Sequence, residues 1–368
     1  MAKDPKPTDP SALHVRGGAP AGHDGLPGST SAGEAAPTTG RRPLSVEAYV
    51  EGVCAGDRVV LARAITLVES NAPAHQELAQ EVLTRLLPLR TASIRVGITG
   101  VPGAGKSTLI ENLGLRLTAA GHKVAVTAVD PTSALSGGSI LGDKTRMDRL
   151  ANDPNAFIRP SPTGGTLGGV ARKTRETIAL FEAAGHDVIL VETVGVGQSE
   201  VMVRSMADFF MLVLIAGAGD ELQGIKRGVM ELADAIVVNK ADGAGRQAAE
   251  AARAGFERVL YYLRPATEGW RTAAVTCAAA TGDGVAGLWS MVEEFVAATS
   301  ATGVFERRRA EQDRDWVRSL VREGLDELFL RHPEVAARRE ELEAAVLRGD
   351  LPATTAARRL LDLFGGGD

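Results

Sequence analysis

Cysteine and aromatic residues are scarce in this sequence, and it contains neither a dense basic segment nor a long apolar run. The two cysteines among 368 residues, Cys54 and Cys277, are too few for a disulfide framework and suit a reducing compartment. A net charge of −5 argues against nucleic acid or an acidic membrane as a partner. No apolar run reaches transmembrane length, and the histidines do not pair with cysteines or acids at metal-ligand spacing. We therefore expect a cytoplasmic protein that binds no membrane and no nucleic acid.

Composition changes along the chain predict four parts. Residues 1–43 are rich in Pro, Gly, Ser, Thr and Ala, so they bury too little apolar surface to offset the entropy of ordering. They lack the features of a signal or transit peptide. Apolar residues then recur at helical spacing, with Ser45 and Asp57 as expected N-caps. The predicted parts are a disordered tail (1–43), an N-terminal helical extension (44–91), an α/β domain (92–300) and a C-terminal helical arm (301–368).

The α/β domain alternates short apolar runs with helical patterns. The predicted buried strands are 94–99, 123–129, 188–192, 209–215, 235–239 and 273–276. Continuous apolar strands separated by helices indicate a doubly wound, mostly parallel sheet. Ligands of such sheets bind at the carboxyl ends of the strands.

A glycine-rich segment between the first strand and a helix predicted over 107–120 fits G-x-x-x-x-G-K-[ST]. Its residues are Gly100, Val101, Pro102, Gly103, Ala104, Gly105, Lys106 and Ser107, followed by Thr108. The glycines let backbone N–H groups surround phosphate oxygens, and the helix N-terminus favours anions. Lys106 can reach the β- and γ-phosphates, and the Ser107 hydroxyl can bind Mg²⁺. The segment predicts a P-loop NTPase fold with these residues around the nucleotide.

The sequence Asn239-Lys240-Ala241-Asp242 ends a later strand and predicts the base. The Asp242 carboxylate can accept hydrogen bonds from two donors of guanine, a pair that adenine does not offer on that edge. Lys240 can lie along the base, and Asn239 can tie this loop to the P-loop. Cys277, Ala278 and Ala279 follow another strand and can supply a backbone N–H to the guanine carbonyl. We therefore expect GTP rather than ATP.

The strand 188–192 delivers Glu192 to the same edge, where an acid beside Mg²⁺ is expected. Asp is usual at this position, and the longer Glu side chain is expected to act through a water. No Gln directly follows Gly195, so the water-positioning residue of Ras-type GTPases is missing, and the role of Gln198 stays open. This pattern favours a slow GTPase that acts as a switch.

Together these motifs resemble the MeaB/ArgK family of P-loop GTPases over about residues 45–364. The most specific stretches are Val129–Ser133, Gly138–Met147, Glu192–Glu200 and Gly217–Lys226. The resemblance implies a Mg²⁺-dependent GTPase, usually homodimeric. Such a protein binds adenosylcobalamin-dependent methylmalonyl-CoA mutase as a chaperone, gating cofactor loading and guarding the mutase against inactivation.

The resemblance also implies roles for individual residues. Asp130 and Asp143 would lie near Mg²⁺ with Ser107 and Glu192, and Lys106, Glu192 and Asp143 would serve hydrolysis. The first switch would span Asp143–Met147, the second Glu192–Glu200, and Asp220–Lys226 would relay nucleotide state to the partner. Two departures from the family are visible: Gly164–Gly169 lacks the usual preceding Arg, and Thr276–Ala279 replaces the common Ser-Ala form.

Several alternatives stay open at this stage. The arm, with Trp316, Leu320, Leu325, Leu328 and Phe329 as one possible apolar stripe, can pair with a second subunit or pack on its own domain. A small-molecule kinase or transport ATPase is a second possible function, which the guanine motif disfavours. A nickel-insertion GTPase is a third, although the chain lacks the His-rich tail or Cys/His cluster usual for it. The client could also be isobutyryl-CoA or ethylmalonyl-CoA mutase.

Overall fold

The computed structural model describes residues 44–129, 147–160, 167–193, 199–217 and 227–366. Several expectations lie outside these residues and stay predictions. They concern the tail 1–43, Asp130, Asp143, Gln198 and the relay segment Asp220–Lys226.

Seven parallel strands form one sheet in the order β3-β2-β4-β1-β5-β6-β7. The strands are β1 Ile94–Gly100, β2 Val124–Val129, β3 Ala156–Arg159, β4 Val188–Thr193, β5 Phe209–Ile215, β6 Ala235–Asn239 and β7 Ala273–Thr276. The predicted doubly wound parallel sheet is confirmed. Because β1 lies between β4 and β5, the ends of these three strands meet at the middle of one sheet edge.

One strand, β3, was not predicted. It has only four residues, of which Ala156, Phe157 and Ile158 are buried, and it pairs with β2 alone at the edge of the sheet. A run this short between loops gives too little periodicity to be recognised. The six predicted strands agree with the structure to within one residue at each end.

Helices cover both faces of the sheet. They are α1 Val46–Cys54, α2 Arg58–Glu69, α3 Pro73–Leu86, α4 Lys106–Ala119, α5 Asp148–Ala151, α6 Leu167–Ala183, α7 Ser199–Arg204, α8 Arg227–Met230, α9 Arg246–Leu260, α10 Val285–Ala301, α11 Val304–Arg331, α12 Pro333–Leu347 and α13 Ala353–Phe364. Alternate residues of each strand enter two separate cores, as Val188 and Leu190 do on one face and Ile189 and Val191 on the other. The first core includes α4 and α10, and the second includes α1–α3, α6, α7 and α9. None of the helices in the described ranges combines the length and the apolar character that a membrane span requires.

The helices α1–α3 pack against α6, and both expected N-caps are confirmed. The Ser45 hydroxyl accepts from the backbone N–H of Ala48, and the Asp57 carboxylate accepts from those of Val59 and Val60. Polar contacts also join this extension to the rest of the chain. Gln80 donates to the Glu176 carboxylate of α6 across 2.9 Å.

The C-terminal arm corrects one expectation. Trp316 and Leu320 are partly buried on the side of α11 that faces α6 and α3, whereas Leu325 and Leu328 are exposed. Phe329 instead contacts Phe364 of α13. The prediction of a single stripe was wrong, because at about 100° per residue these positions spread around the helix.

A different apolar stripe lies on the exposed surface of α11. Val317, Val321, Leu325 and Leu328 fall within an arc of about 80° at helical spacing, and each is more than half exposed. Val317 stands next to Trp316 but points away from α6. The first half of α11 therefore packs on the α/β domain, and its second half leaves an apolar face uncovered.

Buried ion pairs join the beginning of α11 to the sheet edge opposite the P-loop. Asp208, which precedes β5, is 1% exposed and accepts from Nε and Nη2 of Arg309 at 2.8 and 2.6 Å. Asp234, which precedes β6, is fully buried and lies 3.0 Å from Arg204 and 3.6 Å from Arg308. Buried carboxylates need such partners, since an uncompensated buried charge is strongly destabilising.

Candidate nucleotide-binding site

The shape of the P-loop backbone depends on two of its three glycines, Gly100 and Gly105. Gly100 ends β1 with φ of +149°, and a Cβ there would lie 2.0 Å from the carbonyl oxygen of Val213 in β5. Gly105 adopts a left-handed conformation just before α4, and a Cβ there would lie 2.6 Å from Nδ2 of Asn239. Any other residue would push the loop away from the neighbouring strands. The loop therefore curls tightly between β1 and the N-terminus of α4.

Three polar side chains at this edge form the phosphate end of the site. Lys106 is buried, and its Nζ donates to the carbonyl oxygens of Gly100 and Val101 at 2.8 and 3.3 Å. Ser107 Oγ donates to Glu192 Oε1 across 3.1 Å. The hydroxyls of Thr99 and Thr193 hydrogen-bond at 2.8 Å and join the ends of β1 and β4 beside them. The structure thus brings together Lys106, Ser107 and Glu192, which the sequence placed in one site.

The side chain of Asn239 connects the P-loop with the two loops expected to bind the base. Its Nδ2 donates to the carbonyl oxygen of Ala104 at 2.7 Å. Its Oδ1 accepts from the backbone N–H of Ala279 at 2.9 Å and from Sγ of Cys277 at 3.3 Å. The residue is almost fully buried, so these bonds are shielded from water.

Asp242 lies at the exposed end of the same loop. Lys240 has φ of +61°, a conformation that few residues other than glycine adopt, and it turns the chain sharply after β6. A Cβ at Gly245 would lie 2.6 Å from the carbonyl oxygen of Lys240, so the turn must close on a glycine. Both Lys240 and Asp242 are exposed to solvent. A carboxylate in this position is accessible to a planar base with two adjacent donors.

The segment Cys277–Ala279 is held against α4. Asn112 Nδ2 donates to the carbonyl oxygen of Ala279 at 2.8 Å, and Arg116 donates to that of Gly282 at 3.2 Å. Sequence reasoning missed both residues, because nothing distinguishes them from other polar residues of a helix. Burial raises the pKa of the Cys277 thiol to about 12, so it is a structural donor rather than a nucleophile.

The described residues hold no group of three or more His, Cys, Asp or Glu side chains arranged to bind a metal. Ser107 and Glu192 nevertheless supply two oxygen atoms close together at the P-loop. Mg²⁺ in phosphate sites is usually bound by one or two such ligands, with waters and phosphate oxygens completing the shell. The donor set therefore fits Mg²⁺. Asp130 and Asp143, the other expected ligands, lie outside the described residues.

A P-loop at the end of a central parallel strand, with an N-K-x-D loop two strands away, defines the class as a P-loop GTPase. Comparisons with known proteins agree. Residues 61–334 match the model of the family described as methylmalonyl Co-A mutase-associated GTPase MeaB. The chain belongs to the MeaB family and is a guanine nucleotide-binding GTPase.

Relatives and a solved structure extend this result along most of the chain. The mouse (Mus musculus) protein named methylmalonic aciduria type A homolog, mitochondrial, is 45% identical over 87% of this chain and 79% of its own length. GTPase ArgK of Escherichia coli K12 is 45% identical over 84% of this chain and 93% of its own length. The crystal structure titled LAO/AO transport system kinase is 36% identical, with a TM-score of 0.71 over 87% of this chain and 98% of that one.

The first prediction concerns the base. Asp242→Asn replaces an acceptor with a mixed donor and acceptor, so guanine loses charged hydrogen bonds worth roughly 3 kcal/mol in total and GTP should bind about 100-fold more weakly. Xanthosine triphosphate, whose extra carbonyl can accept from the new amide, should bind more tightly than to the wild type. Titration with fluorescent nucleotides measures both affinities. Unchanged GTP affinity would contradict the assignment, and Glu257→Gln, at the far end of α9, is the control.

The second prediction concerns hydrolysis. Glu192→Gln keeps an oxygen that can accept from Ser107 but removes the negative charge, so Mg²⁺-dependent turnover should fall about tenfold or more while GDP affinity changes only about two- to threefold. Lys106→Ala should nearly abolish turnover. Single-turnover rates are measured against Mg²⁺ concentration. In excess chelator the wild type and Glu192→Gln should be equally slow. Wild-type turnover of either variant at saturating Mg²⁺ would refute this model of the site.

Proposed function

We propose that this GTPase is Mg²⁺-dependent and acts as the chaperone of an adenosylcobalamin-dependent methylmalonyl-CoA mutase. It would gate cofactor loading and protect the mutase from inactivation, in the cytoplasm. The observation that carries the proposal is the family match over residues 61–334, because that family is described as mutase-associated. A 45% identical relative named for methylmalonic aciduria supports the same client.

The geometry of the phosphate end supports a Mg²⁺-dependent hydrolysis. Ser107 and Glu192 would hold the ion, which when bound would neutralise charge on the phosphates. Lys106, anchored over the P-loop by two carbonyl oxygens, can exchange those contacts for phosphate oxygens. Asp130 and Asp143 are proposed as further ligands on the resemblance alone. With no Gln directly after Gly195, we expect slow intrinsic turnover.

An ATP-dependent kinase or transport ATPase is a second candidate, since the similar crystal structure is titled as a transport system kinase. The exposed carboxylate of Asp242 argues against it, because adenine offers no matching donor pair. Comparing kcat/KM for GTP and ATP separates the two: a preference for ATP would favour the kinase.

We further propose that the protein is a homodimer and that the stripe Val317, Val321, Leu325 and Leu328 lies in its interface. Four aliphatic side chains on one exposed face of a highly charged helix are a costly surface to leave in water. A second copy would bring an identical stripe, and a two-fold symmetric pairing of like surfaces is the commonest form of oligomer.

The third prediction tests this interface. Val321→Asp combined with Leu325→Asp places two like charges within the stripe, so the dimer should dissociate with an affinity loss of about 100-fold or more. Sedimentation equilibrium measures the change. Ser319→Asp is the matched control, because Ser319 lies on the same helix but lines the groove toward α6. A monomeric wild type, or a double variant that dimerises normally, would contradict the proposal.

The fourth prediction tests the client. The immobilised chain should retain methylmalonyl-CoA mutase with an affinity that differs about tenfold or more between a GTP analogue and GDP, since a switch needs different contacts in its two states. Isobutyryl-CoA and ethylmalonyl-CoA mutases are offered in parallel, and tighter retention of either would reassign the client. Failure to retain any of the three, with each nucleotide, would reject the chaperone role.

The same assay extends to the proposed relay segment Asp220–Lys226. Asp220→Ala and Lys226→Ala should leave basal hydrolysis within a few-fold, a change of about 1 kcal/mol. Both should blunt the response of hydrolysis to the mutase. Normal stimulation in both variants would rule out the relay role.

A further inference from the structure

The helix α7 connects the nucleotide site with the C-terminal arm. It begins at Ser199, six residues after Thr193 at the end of β4, the strand that carries Glu192. Its other end, at Arg204, leads into β5 beside the first turns of α11. The helix α7 therefore lies between the strand that carries Glu192 and the base of the arm.

The helix α7 also packs tightly on the strand that enters the P-loop. A Cβ at Gly97 of β1 would lie 2.7 Å from Cγ1 of Val203 and 2.9 Å from Cδ2 of Phe210. Gly97 is three residues before Gly100, at the start of the phosphate loop. Because interiors are close-packed, α7 cannot approach β1 more closely without moving the strand.

Two side chains from other helices hold the end of α7. Gln312 of α11 donates from Nε2 to the carbonyl oxygens of Ala207 and Arg204 at 2.9 and 3.3 Å. Arg175 of α6 donates from Nη2 to the carbonyl oxygen and the hydroxyl of Ser205. The carbonyl of Arg204 is the last of the helix and has no donor within it, so Gln312 supplies one, and the other bonds hold the residues that follow the helix.

Arg175 also contacts two residues of the arm, Gln312 and Trp316. The Arg175 guanidinium stacks on the Trp316 ring, 5.0 Å from its centroid, and its Nη1 approaches the backbone oxygen of Gln312 at 3.5 Å. Burial lowers the pKa of Arg175 to about 10, so it keeps its charge at neutral pH. One guanidinium thus touches α7 and α11 from a position on α6.

The same two residues carry a complementary pair of unsatisfied groups. Arg175 Nε and Gln312 Oε1 are both buried and have no hydrogen-bond partner in the described part of the chain. One is a donor and the other an acceptor. An arrangement in which Arg175 Nε–H donates to Gln312 Oε1 would satisfy both.

We propose that Arg175 and Gln312 are positioning residues for GTP hydrolysis, which fix α7 against the base of the arm and thereby hold Glu192, on the neighbouring strand β4, in its productive place. Neither residue contacts the nucleotide-site residues that the structure describes. The inference rests on the GTPase activity and not on the identity of the mutase. Loss of the junction should lower the rate of the chemical step and leave nucleotide binding intact.

The test compares Gln312→Leu, Arg175→Lys and the double variant in the full-length protein. Gln312→Leu removes both amide functions at similar size, and Arg175→Lys keeps the charge but loses the planar fork. Each single variant should lower kcat about tenfold with KM within about twofold. The kcat of the double variant should be only slightly below that of the slower single variant, because the effects of residues that act as a unit are not additive. Rates are divided by the concentration of nucleotide-binding sites, so misfolded protein does not lower kcat.

Arg318→Gln is the control, since Arg318 lies on α11 and, within the described ranges, its ion pair is with exposed Asp315. Ser205→Ala removes a single acceptor and replaces Gln312→Leu if that variant does not fold. Gel filtration checks that all variants keep the oligomeric state of the wild type. Wild-type kcat in the variants would overturn the proposal. Two other results would also overturn it: losses of kcat in the single variants that multiply in the double variant, or a change in KM with kcat unaltered.

Discussion

One buried amide, that of Asn239, keeps the parts of the nucleotide site together. It donates to the P-loop at Ala104 and accepts from Ala279 and Cys277, so three loops from distant parts of the chain meet on one side chain. The amide carries a donor and an acceptor on the same planar group. A carboxylate would lose the bond to Ala104, and an aliphatic residue would leave all three partners buried and unpaired.

The order of the strands makes this connection possible. Because β1 lies between β4 and β5, its P-loop is next to Glu192 on one side and close to the end of β6 on the other. Metal, phosphate and base contacts can therefore lie on rigid strand ends rather than on free loops. Donors held in this way do not need to reorganise when charge develops on the phosphates, which is the main source of electrostatic catalysis.

Much of this arrangement is predictable from the sequence for a local reason. The strand, the turn and the helix around Gly100–Ser107 are each indicated by residues close together in the sequence. The N-caps Ser45 and Asp57 are each indicated by a single residue. The remaining features depend on contacts between distant segments. Asn112 meets Ala279 and Gln312 meets Ala207 only once the sheet has formed. The short edge strand β3 was missed because four residues give too little periodicity. Which side of α11 is covered depends on neighbours that periodicity does not reveal.

The buried pair of Asp208 and Arg309 has a consequence for how the protein is made. Asp208 directly precedes the central strand β5, but the cation that neutralises it is 101 residues further along the chain. During synthesis from the N-terminus, every strand of the sheet leaves the ribosome before that arginine does. Burial of the Asp208 carboxylate is unfavourable until its partner arrives. The α/β domain is therefore expected to complete its folding only when the beginning of the arm has been translated. A chain that ends before Arg309 would leave the Asp208 carboxylate without its cation and the beginning of β5 unstable.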